Sequence, residues 1–221
     1  MREHVEAAHL PQPRPGQLSG FRRAVGTTRG RILVPVSVEH DLRLLLDLVV
    51  ELGRHGYLML DFVSVPAEAD DPLVIPVLRA LSEASCCRGV PSARWRLLEA
   101  GPPAERLLLD VVTDRPDLVC LPAARPGTTW TGRGDVAGEL VRLAPVAVLL
   151  IGPGAVSVLS VPPVPPVVLR SSVDESFRDV GRRSDDLVRR LGLSVYRRSG
   201  PIDPERELVL VVPPADPVRP Q

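Results

Sequence analysis

The residues with the clearest chemical potential lie in a Gly/Thr-rich loop before a short amphipathic helix. Residues 127–134 read Gly-Thr-Thr-Trp-Thr-Gly-Arg-Gly and are followed by Asp135-Val136. Glycine N–H groups, hydroxyls and a helix N-terminus are the groups that bind phosphate in α/β folds, and arginine can add an anion clamp. The loop therefore predicts a modified nucleotide or anion site. Its candidate contacts are Arg125, Gly127, Thr128, Gly132, Arg133, Gly134, Asp135 and Val136.

Strand–helix–strand patterns would position this loop. Residues 31–37 and 58–65 are short apolar runs, and residues 42–52 between them carry Leu and Val at helical spacing. Apolar runs at 118–121 and 146–151 flank the loop and its helix. Because such units build parallel sheets, the sequence predicts an α/β fold with a five-stranded, mainly parallel sheet. The remaining predicted elements are a strand at 94–98 and helices at 73–87 and 103–113.

Taken in order, these segments resemble a universal stress protein domain over about residues 30–154. The matching segments are Ile32–Glu39, Leu98–Glu105, Asp117–Pro122 and Gly134–Ile151. The resemblance implies an adenine-nucleotide hydrolase-like sheet flanked by helices. It also implies an ATP site that combines the end of the first strand, at Val36 and Ser37, with the Gly/Thr loop.

The residues at this implied ATP site depart from the family pattern. The family has Asp where Ser37 stands, Gly where Pro122 and Arg125 stand, and Ser or Thr where Asp135 stands. Ser37 removes an ionised acceptor, and Pro122 removes an N–H donor. Asp135 places a carboxylate where a phosphate would bind the helix N-terminus. We therefore expect no cofactor, with ATP binding weak or absent and Asp135 acting as a helix cap.

The sequence contains no catalytic or metal-binding constellation. No Walker, Gly-x-Ser-x-Gly or zinc-ligand spacing occurs, and all 27 basic residues are arginine, which excludes a catalytic or phosphate-binding lysine. The sequence favours a non-catalytic, universal stress protein-like regulatory or binding module. Two alternatives stay open: a nucleotide-binding stress protein that uses Arg125, Arg133 and the threonines, and an enzyme of the adenine-nucleotide hydrolase-like group.

Composition and sequence pattern predict the location of the protein and the division of the chain into segments. The formal net charge is zero, which gives no general attraction to nucleic acid or anionic membrane. Neither a long apolar segment nor a signal-peptide pattern occurs, so we expect a cytoplasmic protein. Four segments follow from composition and pattern. They are a flexible leader at 1–29, the stress protein-like domain at 30–154, a Pro-rich linker at 155–166, and a degenerate half-repeat or unrelated tail at 167–221.

The strand predicted at 146–151 is apolar and uncharged, so an unpaired edge would invite another strand. The resemblance implies that this strand pairs with its twin, and we therefore expect a homodimer. The alternative is that residues 167–213 fold back and pair with the strand in the same chain. The sequence does not identify any protein partner.

Overall fold

The computed structural model describes residues 19–23, 28, 30–37, 42–66, 73–122, 136–152, 167–171, 184–185, 187–189, 195–196 and 208–212. Four helices within these ranges are α1 (Leu42–Gly56), α2 (Val74–Cys87), α3 (Pro103–Asp114) and α4 (Val136–Leu143). The strands are β1 (Ser19–Arg23), β2 (Gly30–Pro35), β3 (Leu58–Ser64), β4 (Ser92–Leu97), β5 (Leu118–Pro122), β6 (Ala147–Ile151), β7 (Val167–Ser171), β8 (Val195–Tyr196) and β9 (Leu208–Val212). No helix in these ranges is long and apolar enough to span a membrane.

All of these strands join one sheet in the order β1-β4-β3-β2-β5-β6-β9-β7-β8. The five strands from β4 to β6 are mutually parallel, which confirms the predicted α/β fold and its parallel centre. At one end the sheet is extended by β1, which pairs antiparallel with β4. Ser19–Arg23 was expected to belong to a flexible leader. It forms a strand instead because the backbone groups on the outer edge of β4 give it hydrogen-bonding partners.

Helices cover both faces of the central sheet because its strands carry buried side chains on both sides. On β2, Ile32 and Val34 belong to the core under α1 and α2, whereas Leu33 belongs to the core under α3 and α4. The α1 helix contributes buried leucine and valine side chains at helical spacing. Proline begins α3, where the missing N–H costs nothing. Each crossover between neighbouring parallel strands therefore buries one helix face.

The second half of the chain repeats part of the strand order of the first half. The order β8-β7-β9 corresponds to β3-β2-β5, and both sets are parallel within themselves. Residues 184–185 and 187–189 are helical, and Leu187 packs into the same core as α1 and α2. Residues 167–212 therefore contribute strands and core side chains to the same sheet as the first half.

The strand β6 has no free edge, because it pairs with β5 on one side and antiparallel with β9 on the other. The register places Val148 opposite Val211 and Leu149 opposite Leu210. The prediction that residues 146–151 pair with the same strand of a second copy is therefore wrong. The alternative, that residues 167–213 fold back and pair with this strand in the same chain, is confirmed. A covalent tether gives β9 a high effective concentration at this edge, which favours the pairing within one chain.

The integration of β9 into the sheet predicts the effect of a core substitution. Leu210 is fully buried and belongs to the core under α1 and α2. We expect Leu210→Ala to lower the free energy of unfolding by about 2–5 kcal/mol, in one cooperative urea transition monitored by circular dichroism. The control Leu109→Ala, on the exposed side of α3, should change it by less than about 0.5 kcal/mol. An unchanged midpoint for Leu210→Ala would show that β9 is detached.

Candidate functional site

The strand order marks the carboxyl ends of β2 and β5 as the place for a ligand. These strands are hydrogen-bonded neighbours, with Ile32 opposite Leu118 and Leu33 opposite Val119. From β2 the chain continues to β3 and β4 on one side, whereas β5 continues to β6 on the other. The connections therefore diverge between β2 and β5, and in open α/β sheets the crevice beyond the carboxyl ends at such a divergence is where ligands bind.

Val36 and Ser37, two of the predicted contacts, directly follow β2 at this carboxyl edge. The Val36 N–H donates a hydrogen bond to the Val63 carbonyl oxygen at 2.7 Å, which continues the ladder to β3 just beyond the end of β2. The Val36 side chain is buried in the core under α1 and α2, so only its backbone could face a ligand. Ser37 is half-buried and is the first polar side chain after the strand.

The N-terminus of α4 lies at the same edge. The parallel strands β5 and β6 are joined through α4, so this helix runs back across the sheet and begins near the carboxyl ends of the strands. Val136 is its first residue, and its side chain packs against the core under α3 and α4. Asp135 immediately precedes the helix in the sequence. The N–H groups of the first turn of a helix are the groups that bind an anion in α/β proteins.

The structure therefore brings Val36, Ser37 and Val136 to one edge of the sheet. The other predicted contacts lie outside the described residues. They are Arg125, Gly127, Thr128, Gly132, Arg133, Gly134 and Asp135.

A buried network of charges, which the sequence analysis missed, lies on the α3 side of the sheet. Asp61 in β3 is fully buried and accepts hydrogen bonds from Arg94 Nη2 at 2.6 Å and from Arg96 Nη2 at 2.8 Å. Arg96 also donates two hydrogen bonds to Asp110 of α3, at 2.7 Å and 2.6 Å. Arg96 thus bridges a strand carboxylate and a helix carboxylate, a geometry that suits the planar guanidinium group.

The network continues to the amino-terminal edge of the sheet through Arg31 and Asp114. The Asp114 carboxylate lies 3.3 Å from Arg94 Nη2 and 3.4 Å from Arg31 Nη1. The Arg31 side chain also donates to the Asp114 carbonyl oxygen, and the Arg31 backbone N–H donates to Asp117 at 2.8 Å. These bonds tie the last turn of α3 and the turn before β5 to β2 and β4. The network therefore fixes elements that frame the crevice but does not reach the crevice itself.

The sequence does carry a signal for this network. Asp61 interrupts an otherwise apolar strand, and Arg94 and Arg96 alternate around Trp95 in the neighbouring strand. Charged residues at a period of two in strands that must be buried on both faces require partners on the same face. A comparison of these two strands would have predicted the pairing.

Charge pairing decides the protonation of the buried groups. Burial alone would raise the pKa of Asp61, but the charges and hydrogen bonds of Arg96 and Arg94 outweigh it and hold the pKa below its usual value. Burial alone would lower the pKa of Arg96, but its bonds to Asp110 and Asp61 outweigh it and raise the pKa. These groups therefore stay ionised near neutral pH, which suits a structural role and not a proton-transfer role.

Other reactive side chains in the described ranges offer no chemistry at the crevice. Burial raises the pKa of the Cys120 thiol, so this cysteine remains an unreactive thiol within β5. Within those ranges, no group of three or more His, Cys, Asp or Glu residues could hold a metal ion. The groups that the described residues bring to this edge are the backbone after β2, the Ser37 side chain and the start of α4.

The buried carboxylate predicts an acid-dependent stability. Because the folded-state pKa of Asp61 lies below its unfolded value of about 3.9, its contribution is complete above that value and is lost as the pH falls through the folded pKa. We expect Asp61→Asn to lower the free energy of unfolding at pH 7 by about 3–5 kcal/mol, because Arg94 and Arg96 lose a buried partner. The loss of stability below pH 4 should be shallower in this variant, as measured by urea unfolding.

The matched control for this substitution is Asp47→Asn. Asp47 also pairs with an arginine, Arg88 at 2.7 Å, but it lies on the exposed surface of α1. Because exposed ion pairs contribute little, we expect a change of at most about 1 kcal/mol and an unaltered acid profile. Equal losses for the two variants would contradict the dominant role of the buried network.

Comparisons with known proteins identify structural neighbours only. No protein-family model and no curated protein sequence matches the chain. The universal stress protein UspA from Lactobacillus plantarum matches with a TM-score of 0.46 and 18% identity, over 57% of this chain and 99% of that chain. A universal stress protein family member from Burkholderia pseudomallei matches with a TM-score of 0.42 and 25% identity, over 57% of this chain and 98% of that chain. A functionally unknown protein from Pseudomonas aeruginosa PAO1 matches with a TM-score of 0.48 and 12% identity, over 83% of this chain and 92% of that chain. In its fold, the chain is similar to universal stress proteins.

Proposed function

We propose that this chain is a non-catalytic regulatory or binding module of the universal stress protein type, in which ATP binding is weak or lost. The observation that carries the proposal is the carboxylate of Asp135, which in the sequence directly precedes α4. The N-terminus of α4 follows β5 at the carboxyl edge of the parallel strands, the edge at which α/β proteins bind ligands. A carboxylate at this helix end competes with a phosphate for the same N–H groups and repels it.

Two further residues support the loss of ATP binding. Ser37 supplies a neutral hydroxyl at the end of β2, where the stress protein resemblance implies an ionised acceptor for the nucleoside. Pro122 ends β5 and carries no N–H, so the start of the loop lacks one backbone donor. Each missing charge-assisted hydrogen bond weakens binding by about 1.5–3 kcal/mol. Together, these changes weaken ATP binding by orders of magnitude.

A Mg²⁺-ATP titration by calorimetry tests the proposal. We expect no saturable binding at micromolar concentrations with the full chain. Asp135→Ser should increase the affinity by about tenfold, which corresponds to about 1.4 kcal/mol, because it removes the competing carboxylate. The double variant Ser37→Asp with Asp135→Ser should bind more tightly still.

The control variant is Glu105→Ser, which removes one negative charge from the exposed first turn of α3. It should leave ATP affinity unchanged, which separates a local effect at α4 from a change in net charge. Micromolar affinity in the unaltered chain would overturn the proposal. It would instead favour a nucleotide site in which Arg125, Arg133 and the threonines of the loop bind the phosphates.

A further inference from the structure

A small cavity lies at the amino-terminal edge of the sheet, opposite the crevice between β2 and β5. Its volume is about 280 Å³, and it is lined by Arg54, His55, Tyr57, Gly89 and Pro91. Arg54 and His55 lie in the last turn of α1, Tyr57 lies between α1 and β3, and Gly89 and Pro91 lie between α2 and β4. The cavity is at the lower end of the size range of ligand pockets, so it suits a small molecule.

The backbone of one wall is strained. Tyr57 has a φ of 52°, a left-handed conformation that is unfavourable for a side chain with a Cβ atom. The preceding residue, Gly56, would suit this conformation, but it is the last residue of α1. Gly89 in the other wall also has a positive φ, of 91°, which glycine adopts freely. A left-handed residue directly after a helix is a common way to end it, and Arg115 after α3 has the same conformation, so the φ of Tyr57 explains how α1 ends and where the ring is placed.

The Tyr57 side chain is largely exposed, so it is available for contact with a ligand and contributes little to packing. Tyr57 is 59% exposed, so most of its ring surface gains nothing from the core. Within the described part of the chain, no hydrogen-bond partner of its hydroxyl is found. An exposed aromatic ring beside a cavity is the surface on which another planar ring can stack.

Two basic side chains border the ring. Arg54 Nη1 donates to Glu51 at 3.0 Å, and the guanidinium is half-exposed, which leaves further N–H donors directed to solvent. His55 Nδ1 lies 2.9 Å from the Glu51 carbonyl oxygen, and in the tautomer that donates this bond the Nε2 atom is an acceptor. The cavity thus offers an aromatic face, a cationic donor and one acceptor.

We propose that this cavity binds a small aromatic carboxylate that carries a ring hydroxyl. The ligand ring would stack on Tyr57, its carboxylate would accept hydrogen bonds from Arg54, and its hydroxyl would donate to His55 Nε2. Arg54 is already paired with Glu51, which weakens its attraction for the ligand carboxylate. The expected affinity is therefore modest, with a Kd of about 0.1–1 mM. The site is independent of the proposed ATP-deficient crevice, because it lies at the opposite edge of the sheet.

The probe for the test is 4-hydroxybenzoate, titrated into the full chain and followed by two-dimensional amide NMR. We expect saturable shifts at residues around the cavity. Acetate, which lacks the ring, and benzyl alcohol, which lacks the charge, should bind at least tenfold more weakly. Absence of saturable shifts at 10 mM 4-hydroxybenzoate would overturn the proposal, whatever the ATP titration shows.

Substitution of Tyr57 gives a readout that a purely structural residue would not give. We expect Tyr57→Gly to raise the Tm, because glycine relieves the left-handed strain, and at the same time to weaken 4-hydroxybenzoate binding at least tenfold. Arg54→Gln should also weaken binding at least tenfold with little change in Tm. The control Arg79→Gln, an exposed arginine on α2, should bind normally. A lower Tm for Tyr57→Gly, or unchanged binding in both cavity variants, would contradict the assignment.

Discussion

The carboxylate of Asp61 is the constraint on which the α3 side of the sheet depends. A fully buried charge is tolerated only when ionic partners and hydrogen bonds replace the water it has lost. Arg94 and Arg96 provide them from β4, but these two cations require further carboxylates in turn. Asp110 and Asp114 meet that requirement from the last two turns of α3. One buried charge in a strand therefore determines where a helix must lie.

The same constraint fixes the register of β3 and β4. Side chains alternate between the faces of a strand, so a shift by one residue would move Asp61 into the core under α1 and α2, away from Arg94, Arg96 and Asp110. An apolar strand alone would not resist such a shift as strongly. With the register and α3 fixed, α4 packs beside α3, and its N-terminus is held at the carboxyl edge of the parallel strands. The buried charges thus act on the candidate site through the packing of helices.

The sequence was sufficient for the elements whose signal is local. Apolar runs such as 58–65 predicted strands, and Pro103 predicted the start of a helix.

The charge network required pairing Asp61 with arginines 33 and 35 residues away, which a reading along the chain does not supply. The pairing of β1 was missed because its stability comes from the free edge of β4 and not from its own residues. The place of the candidate site follows from the strand order, whereas its predicted contacts, Ser37 and Val136 among them, stay predictions. The choice between a twin strand and β9 as the partner of β6 was open, because both partners satisfy the same edge.

The direction of the strands reverses between β6 and β9, because these two neighbours pair antiparallel. Strands β2 to β6 all run one way, and β7 to β9 all run the other way. The carboxyl ends of β7 and β9 consequently lie on the same rim as the amino ends of β2 and β5. Any ligand held beyond the carboxyl ends of the second set would therefore face the opposite side of the molecule from one held by the first set. Carboxyl ends of parallel strands thus lie at both edges of this one sheet. Two ligands or partners could therefore be held on opposite sides of the chain without meeting each other.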